Sequence, residues 1–149
     1  MIYIFSGPRR EETDLSTQFS RLDCDTDCFD LEVSDQHDLT DDIIWENIAK
    51  HIDRGSYSGG VAAPPCSTFS AIRGQGEDEG ARPLRGDSEE TIYGLPGLTE
   101  SEKSQVKVGT ACALRALDMA KRFEALGRPW LIETPAKRQG CPNVFDLPA

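Results

Sequence analysis

The sequence predicts an α/β fold with a doubly wound, mostly parallel sheet. Short runs of apolar and β-branched residues alternate with longer segments whose apolar residues recur at helical spacing. Such alternation is typical of a parallel sheet with helices on its faces. Polar, glycine or cysteine residues follow four of the apolar runs. In a parallel sheet these positions fall along one edge, where ligands bind.

The first sixty-odd residues contain three predicted strands and two predicted helices. The first strand stops at a Ser-Gly-Pro turn, and the second helix carries isoleucines at helical spacing. The predicted strands are 1–5, 28–31 and 60–63, and the predicted helices are 13–21 and 41–54.

The second half contains one long loop, one helix and one strand. The loop, 71–98, holds six glycines, and loops of this length are usually functional or disordered. Thr99 and Glu102 have the spacing of a capping box, which predicts the start of a helix that runs to about Leu126. The last predicted strand is 130–132.

The length of 149 residues predicts one domain, and the charge distribution restricts its partners. The net charge is −10, and the first 60 residues hold 14 acidic and 5 basic side chains. That half would repel a phosphate backbone, although a solvated surface explains most of these acids. A nucleic acid would therefore approach the second half, where Arg73, Arg82 and Arg85 lie in one loop.

The cysteines and the apolar runs predict a cytoplasmic protein without a metal. Five cysteines, at 24, 28, 66, 112 and 141, form no repeated pair, and no histidine cluster completes a zinc site. No apolar run is long enough to span a bilayer, and the N-terminus lacks the layout of a signal peptide. We expect reduced thiols and no membrane partner.

The most informative motif is Pro64-Pro65-Cys66-Ser67-Thr68-Phe69-Ser70, which directly follows the predicted strand at 60–63. A cysteine on a proline-stiffened loop at the carboxyl end of a strand is positioned to act as a nucleophile. The alternative is a small buried hydrophobe at a turn, which is the usual role of a free cysteine.

A carboxylate at another strand end suggests what such a cysteine attacks. Glu133 follows the last strand, and a thiolate and a protonated carboxyl group in one pocket suit addition to an electron-poor ring. Partial burial between the strand and Pro135 would favour the protonated form. The alternative for Glu133 is an exposed carboxylate at a strand end.

Two further strand ends suggest a nucleotide-like ligand. Asp30 can accept hydrogen bonds from ribose hydroxyls, and Gly7 lets the first turn approach a ligand closely. Gly7 can equally be a plain turn glycine. Asp38 lies in an Asp-rich loop, where a helix N-cap is the alternative to a ligand contact.

On these motifs the chain resembles the N-terminal catalytic half of the DNA (cytosine-5) methyltransferases over roughly residues 1–138. The Pro-Pro-Cys element is the specific part of the resemblance, and Glu133-Thr134-Pro135 stands where the family has Glu-Asn-Val. The other matching segments are Phe5-Ser6-Gly7, Asp30 to Glu32, His37-Asp38-Leu39 and Phe69-Ser70.

The resemblance implies a Rossmann-like methyltransferase fold and methylation of C5 of cytosine in DNA by S-adenosylmethionine. Cys66 would attack C6 of a flipped cytosine, and Glu133 would hold N3. The implied cofactor-binding residues are Phe5, Ser6, Gly7, Asp30, Glu32, Asp38 and Pro64. The implied DNA-binding residues are Ser67, Ser70, Arg73, Arg82 and Arg85.

The family pattern also differs from this chain in two places. Pro8-Arg9-Arg10 follows Gly7 where the family continues with further glycines. The family's later strands and target-recognition region have no counterpart here, so we expect a single catalytic domain over 1–149 that is incomplete at its C-terminal end. Either the chain is a fragment, or a second chain supplies the missing strands and recognition region, or the protein has lost catalysis. The alternatives are an inactive binding module and an enzyme that modifies free cytidine nucleotides.

Overall fold

Four short strands form one all-parallel sheet in the computed structural model, which describes residues 1–8, 14–70, 82–138 and 140–148. The strand order is β2-β1-β3-β4, and the described residues include three α-helices, none of which is long and apolar enough to cross a membrane. This confirms the predicted α/β class. The elements are β1 (Ile2–Ile4), α1 (Leu15–Arg21), β2 (Asp27–Phe29), α2 (Asp42–Asp53), β3 (Gly60–Ala62), α3 (Glu100–Ala125) and β4 (Trp130–Ile132).

The chain divides into two compact units. The first unit, Met1–Pro64 with Arg115–Glu133, contains the sheet, α1, α2 and the second half of α3. The second unit, Pro65–Leu114 with Thr134–Ala149, contains the Pro-Pro-Cys loop from Pro65 onward and the first half of α3. The residues of the predicted site are therefore divided between the two units.

The core of the first unit packs one face of the sheet against α2 and α3. Ile2 and Ile4 are fully buried on that face, whereas Tyr3 between them points to the opposite side. Gly60 in β3 permits close packing, since a Cβ there would lie 2.3 Å from Cε2 of Phe123. The absence of a side chain at this position therefore lets the helix approach the strand.

The core of the second unit is small and lies beside the start of α3. Leu84, Leu98 and Val106 are buried together. The predicted capping box is confirmed: the Glu102 amide donates to Oγ1 of Thr99 at 3.3 Å, and the Thr99 amide donates to Oε2 of Glu102 at 2.7 Å. The cap thus fixes the start of α3 where the sequence predicts it.

The first two strands end earlier than predicted, because the segments that follow β1 and β2 turn and bind each other. Phe5 has φ of +58° and leaves β1. The carboxylate of Asp30 accepts hydrogen bonds from the amides of Gly7 at 3.0 Å and Glu32 at 2.8 Å. These bonds hold the chain in a turn directly after Phe29, where the sequence predicts two more residues of strand.

Candidate functional site

A cavity of about 330 Å³ lies at the carboxyl ends of the strands of the first unit. The strand order reverses there, since β2 lies on one side of β1 while β3 and β4 lie on the other. Open parallel sheets bind ligands at such a reversal. The lining includes three predicted cofactor-binding residues and one predicted catalytic residue. The lining residues are Tyr3, Phe5, Ser6, Gly7, Pro8, Asp14, Leu15, Ala63 and Glu133.

The turn after β1 forms one wall of this cavity and has an unusual backbone. Phe5 and Gly7 both have positive φ, +58° and +68°. A bulky residue in this region costs on the order of 1–3 kcal/mol, and such strain is found preferentially at functional sites. A Cβ at position 7 would meet nothing within 4 Å, so the positive φ, and not a close approach to other protein atoms, requires the glycine.

Asp30 holds this turn from the neighbouring strand. Its Oδ2 accepts from the Gly7 amide and its Oδ1 accepts from the Glu32 amide. Its own amide donates to Nδ1 of His37 at 3.4 Å. Each carboxylate oxygen has a second lone pair, so Asp30 can bind the turn and still accept a hydrogen bond from a ligand hydroxyl.

The cavity is acidic and partly aromatic. Burial raises the pKa of Tyr3, and the nearby carboxylates of Asp14, Glu133 and Asp30 raise it further. The ring of Phe5 lies in the same lining. Carboxylates and aromatic faces both attract cations, so a ligand with a positive charge and hydrogen-bonding hydroxyls suits this site.

Glu133 lines the cavity but is exposed, and the expectation of partial burial is wrong. Its amide donates to the carbonyl of Ala62 at 2.8 Å, which continues the pairing of β4 with β3. The side chain is open because β4 pairs only with β3 among the described residues and forms an edge of the sheet. Leu131 in the same strand is 54% exposed.

The predicted nucleophile lies in the second unit, on a well-formed turn. Cys66 is exposed, and its carbonyl accepts a hydrogen bond from the Phe69 amide at 2.9 Å. Thr68 and Phe69 are buried, whereas Ser67 is exposed and Ser70 is half-buried. The alternative of a small buried hydrophobe at position 66 is therefore wrong, and the thiol is accessible.

Arg85 is not a surface residue, so its predicted contact with DNA is corrected. Its side chain is 2% exposed. The guanidinium donates to Oγ1 of Thr68 at 3.1 Å and to the carbonyls of Ile92 and Val106 at 2.7 and 2.8 Å. Burial lowers the pKa of Arg85 to about 10, which leaves the group charged at neutral pH. These contacts use three of the five guanidinium N–H donors, and burial keeps the group from a phosphate at the surface.

Arg82 remains exposed but is held by an acidic partner. Its Nε and Nη2 donate to the carboxylate of Glu102 at 2.9 and 2.6 Å, and Nη2 also donates to the Gly97 carbonyl at 3.1 Å. A DNA phosphate would have to compete with this ion pair. Arg73 lies outside the described residues.

Four predicted cofactor-binding residues do not line the cavity: Asp30, which binds the Gly7 amide of its wall, and Glu32, Asp38 and Pro64. Glu32 is exposed, and Pro64 is buried next to the lining residue Ala63. Oδ1 of Asp38 accepts from the amide and the hydroxyl of Thr40 at 2.9 and 2.7 Å, which closes a local turn. The N-cap alternative for Asp38 is also wrong, because Asp41 caps α2.

The sequence interpretation missed several lining residues. The sequence predicts Tyr3 only as part of a strand. Its position between Ile2 and Ile4 is the signal that it faces away from the core, because successive side chains of a strand point to opposite faces. Asp14 is the N-cap of α1, a role that an Asp before an apolar helix can signal. Among the described residues, no group of three or more His, Cys, Asp and Glu side chains can hold a metal ion.

No protein-family model matches this sequence, and neither a curated protein nor a solved structure matches it. The function proposed below therefore rests on the cavity, the turn that forms its wall and the motifs of this chain.

Proposed function

We propose that this chain is an S-adenosylmethionine-dependent enzyme of Rossmann-like fold that methylates C5 of cytosine in DNA. The observation that carries the proposal is the cavity at the reversal of strand order, which Phe5, Gly7 and Glu133 line together. The resemblance to the cytosine-5 methyltransferases assigns cofactor binding to the first two residues and catalysis to the third. In this proposal the protein acts in the cytoplasm, with a second chain supplying the recognition region.

The residues of the cavity fit S-adenosylmethionine in charge and in size. Its sulfonium cation suits the carboxylates of Asp14 and Glu133 and the rings of Tyr3 and Phe5. Its ribose hydroxyls would bind the carboxylate of Asp30, which does not line the cavity but holds the Gly7 amide of its wall. The cavity is at the lower end of the roughly 300–1,000 Å³ of small-molecule sites. When bound, the cofactor supplies an electrophilic methyl group.

Cys66 would supply the nucleophile for the base. Its thiolate forms a bond to C6, and the displaced electron pair makes C5 nucleophilic. Glu133, having taken a proton from solvent, donates a hydrogen bond to N3 and stabilises the charge that moves onto the ring. After C5 has taken the methyl group, the C5 proton is lost to solvent, its electron pair forms the double bond between C5 and C6, and the bond between sulfur and C6 breaks with its electron pair on the regenerated thiolate.

Covalent trapping on DNA that contains 5-fluorocytosine tests this proposal, because fluorine cannot leave as a proton does. With S-adenosylmethionine present, the wild-type chain should form a DNA adduct stable to denaturing electrophoresis, and Cys66→Ser should form none. Cys24→Ser is the matched control, since Cys24 is half-buried and lies in the first unit. An adduct that persists in Cys66→Ser would refute the assignment of the nucleophile.

Two measurements separate the proposal from its alternatives. An inactive binding module need not bind S-adenosylmethionine, whereas we expect calorimetry to detect binding that Asp30→Ala weakens. An enzyme of nucleotide metabolism would methylate free cytidine nucleotides, whereas we expect transfer of labelled methyl groups to DNA alone. The complete chain, with any second chain that supplies the recognition region, is the sample for both measurements.

A further inference from the structure

The second unit contains a buried guanidinium, that of Arg85, whose hydrogen bonds to the described residues all go to neutral oxygens. Arg85 is 2% exposed, and the three oxygens that accept from it in the described part of the chain are neutral. Burying a charge is costly unless the surrounding contacts compensate for it. Among the described residues, neutral oxygens and the Phe69 ring compensate this charge. This indicates that the position of these contacts matters, since an uncharged residue would avoid the cost.

The three contacts of Arg85 join three separate parts of the chain. Nε binds Thr68 in the Pro-Pro-Cys loop, Nη1 binds the Ile92 carbonyl, and Nη2 binds the Val106 carbonyl in α3. The guanidinium carbon also lies 4.1 Å from the centre of the Phe69 ring. Because the guanidinium is planar and rigid, it fixes the angle between these partners as well as their distance.

Two of these partners belong to the turn that carries Cys66, which we call the Cys66 turn (residues 66–69). The Phe69 amide closes this turn by donating to the Cys66 carbonyl at 2.9 Å. Thr68 and Phe69 are buried on the Arg85 side, while Cys66 is exposed. Arg85 therefore holds the inner side of the turn and leaves the thiol accessible.

A glycine in α3 makes this packing possible. A Cβ at position 109 would lie 2.6 Å from Oγ1 of Thr68 and 3.3 Å from Nη2 of Arg85. The first distance is shorter than a Cβ tolerates, and the Thr68 hydroxyl is too short to move away on its own. The Cys66 turn thus contacts α3 at a point where any side chain would displace it.

From these contacts we infer that Arg85 is a positioning residue, which fixes the Cys66 turn against α3 so that the thiol is presented in one orientation. The inference rests on the proposed role of Cys66 as the nucleophile. Arg85 acts through Thr68 and Phe69 and touches no reacting atom.

Three substitutions loosen the Cys66 turn in different ways. Arg85→Lys keeps the charge but loses the planar donors and the stacking on Phe69. Thr68→Val keeps the shape but removes one acceptor, and Gly109→Ala introduces the clash. The matched controls are Thr68→Ser, which keeps the hydroxyl, and Ser104→Ala, an exposed position in the same helix.

The first measurement is hydrogen exchange of the Phe69 amide in the folded, full-length protein. We expect each of the three loosening substitutions to speed this exchange by about tenfold, the factor for one weakened buried hydrogen bond to a charged group. The two controls should leave it unchanged. If Arg85→Lys fails to fold, Thr68→Val still provides the test, because this substitution keeps the shape of the side chain and leaves the charge of the protein unaltered.

The second measurement is the rate of covalent trapping on 5-fluorocytosine DNA at saturating DNA. If the wild type forms the adduct, we expect Arg85→Lys and Thr68→Val to slow its formation by about tenfold or more, with unchanged DNA affinity. Thr68→Ser keeps the hydroxyl and should form the adduct at the wild-type rate. Equal trapping rates in all variants would overturn the inference while leaving the proposed function intact. If the wild type forms no adduct, the proposed function fails. The role of Arg85 in positioning the Cys66 turn is then tested by exchange alone. Faster exchange of the Phe69 amide in the three loosening variants supports that role, and unchanged exchange overturns it.

Discussion

Replacement of Asp30 by alanine tests how the wall of the cavity is held. The substitution removes the acceptor of two amides, those of Gly7 and Glu32. A hydrogen bond to a charged group contributes about 1.5–3 kcal/mol when buried. The bond to Gly7 is partly buried, and water can replace the bond to Glu32, so we expect a loss of about 2 kcal/mol in the free energy of unfolding for the pair.

Urea unfolding measures this loss directly. With a slope of about 2 kcal/mol/M, the midpoint of Asp30→Ala should fall by about 1 M. Asp30→Asn keeps one carbonyl oxygen and should lose about half as much. Asp25→Ala makes the same change of charge at an exposed residue nearby and is the control. If the midpoints of Asp30→Ala and Asp25→Ala fall equally, the carboxylate does not hold the turn and the reasoning is refuted.

Three further predictions concern the helix start, the core and the sheet edge. The hydrogen bond from Arg82 is the main cause that lowers the pKa of Glu102 from 4.5 to about 2. The stability that ionised Glu102 contributes is therefore complete above its pKa in the unfolded chain, and is lost as the pH falls through its pKa in the folded protein. Urea titrations between about pH 5 and 2 should show the wild type losing stability relative to Glu102→Gln; parallel curves would contradict this. Gly60→Ala places a Cβ 2.3 Å from a ring carbon of Phe123 and should cost about 1–3 kcal/mol in urea unfolding, with partial recovery when Phe123→Leu is added. Leu131→Lys should reduce light scattering on heating and change stability by less than about 0.5 kcal/mol, because the side chain lies exposed on an edge strand; unchanged scattering would show that this edge does not aggregate.

Several strands and helices were predictable because local sequence patterns specify them. The strand at 130–132 has the predicted bounds, and the capping box of Thr99 and Glu102 sets the start of α3 as expected. The isoleucine pattern of α2 gave the right helix but one wrong side chain, since Ile43 is 72% exposed in its first turn. Helical spacing identifies an apolar face, whereas the extent of burial depends on which elements cover that face.

The ends of the first two strands were less predictable because a tertiary contact decides them. Phe5 favours a strand by its residue type, yet it takes a positive φ. The amide of Gly7 binds the carboxylate of Asp30, a residue 23 positions later in the chain. A local pattern cannot contain a hydrogen bond between residues so far apart. This hydrogen bond determines both the shape of the turn and the position of the cavity wall.

The two described arginines of the glycine-rich loop show why residue type alone does not assign a role. Arg82 and Arg85 lie three positions apart, and the sequence gives both the same interpretation, a contact with phosphate. The first is exposed and faces the carboxylate of Glu102. The second is buried among neutral oxygens beside the turn of the proposed nucleophile. A basic side chain near the proposed nucleophile can therefore hold the Cys66 turn through Thr68 and Phe69, and its burial distinguishes this role from a contact with the substrate.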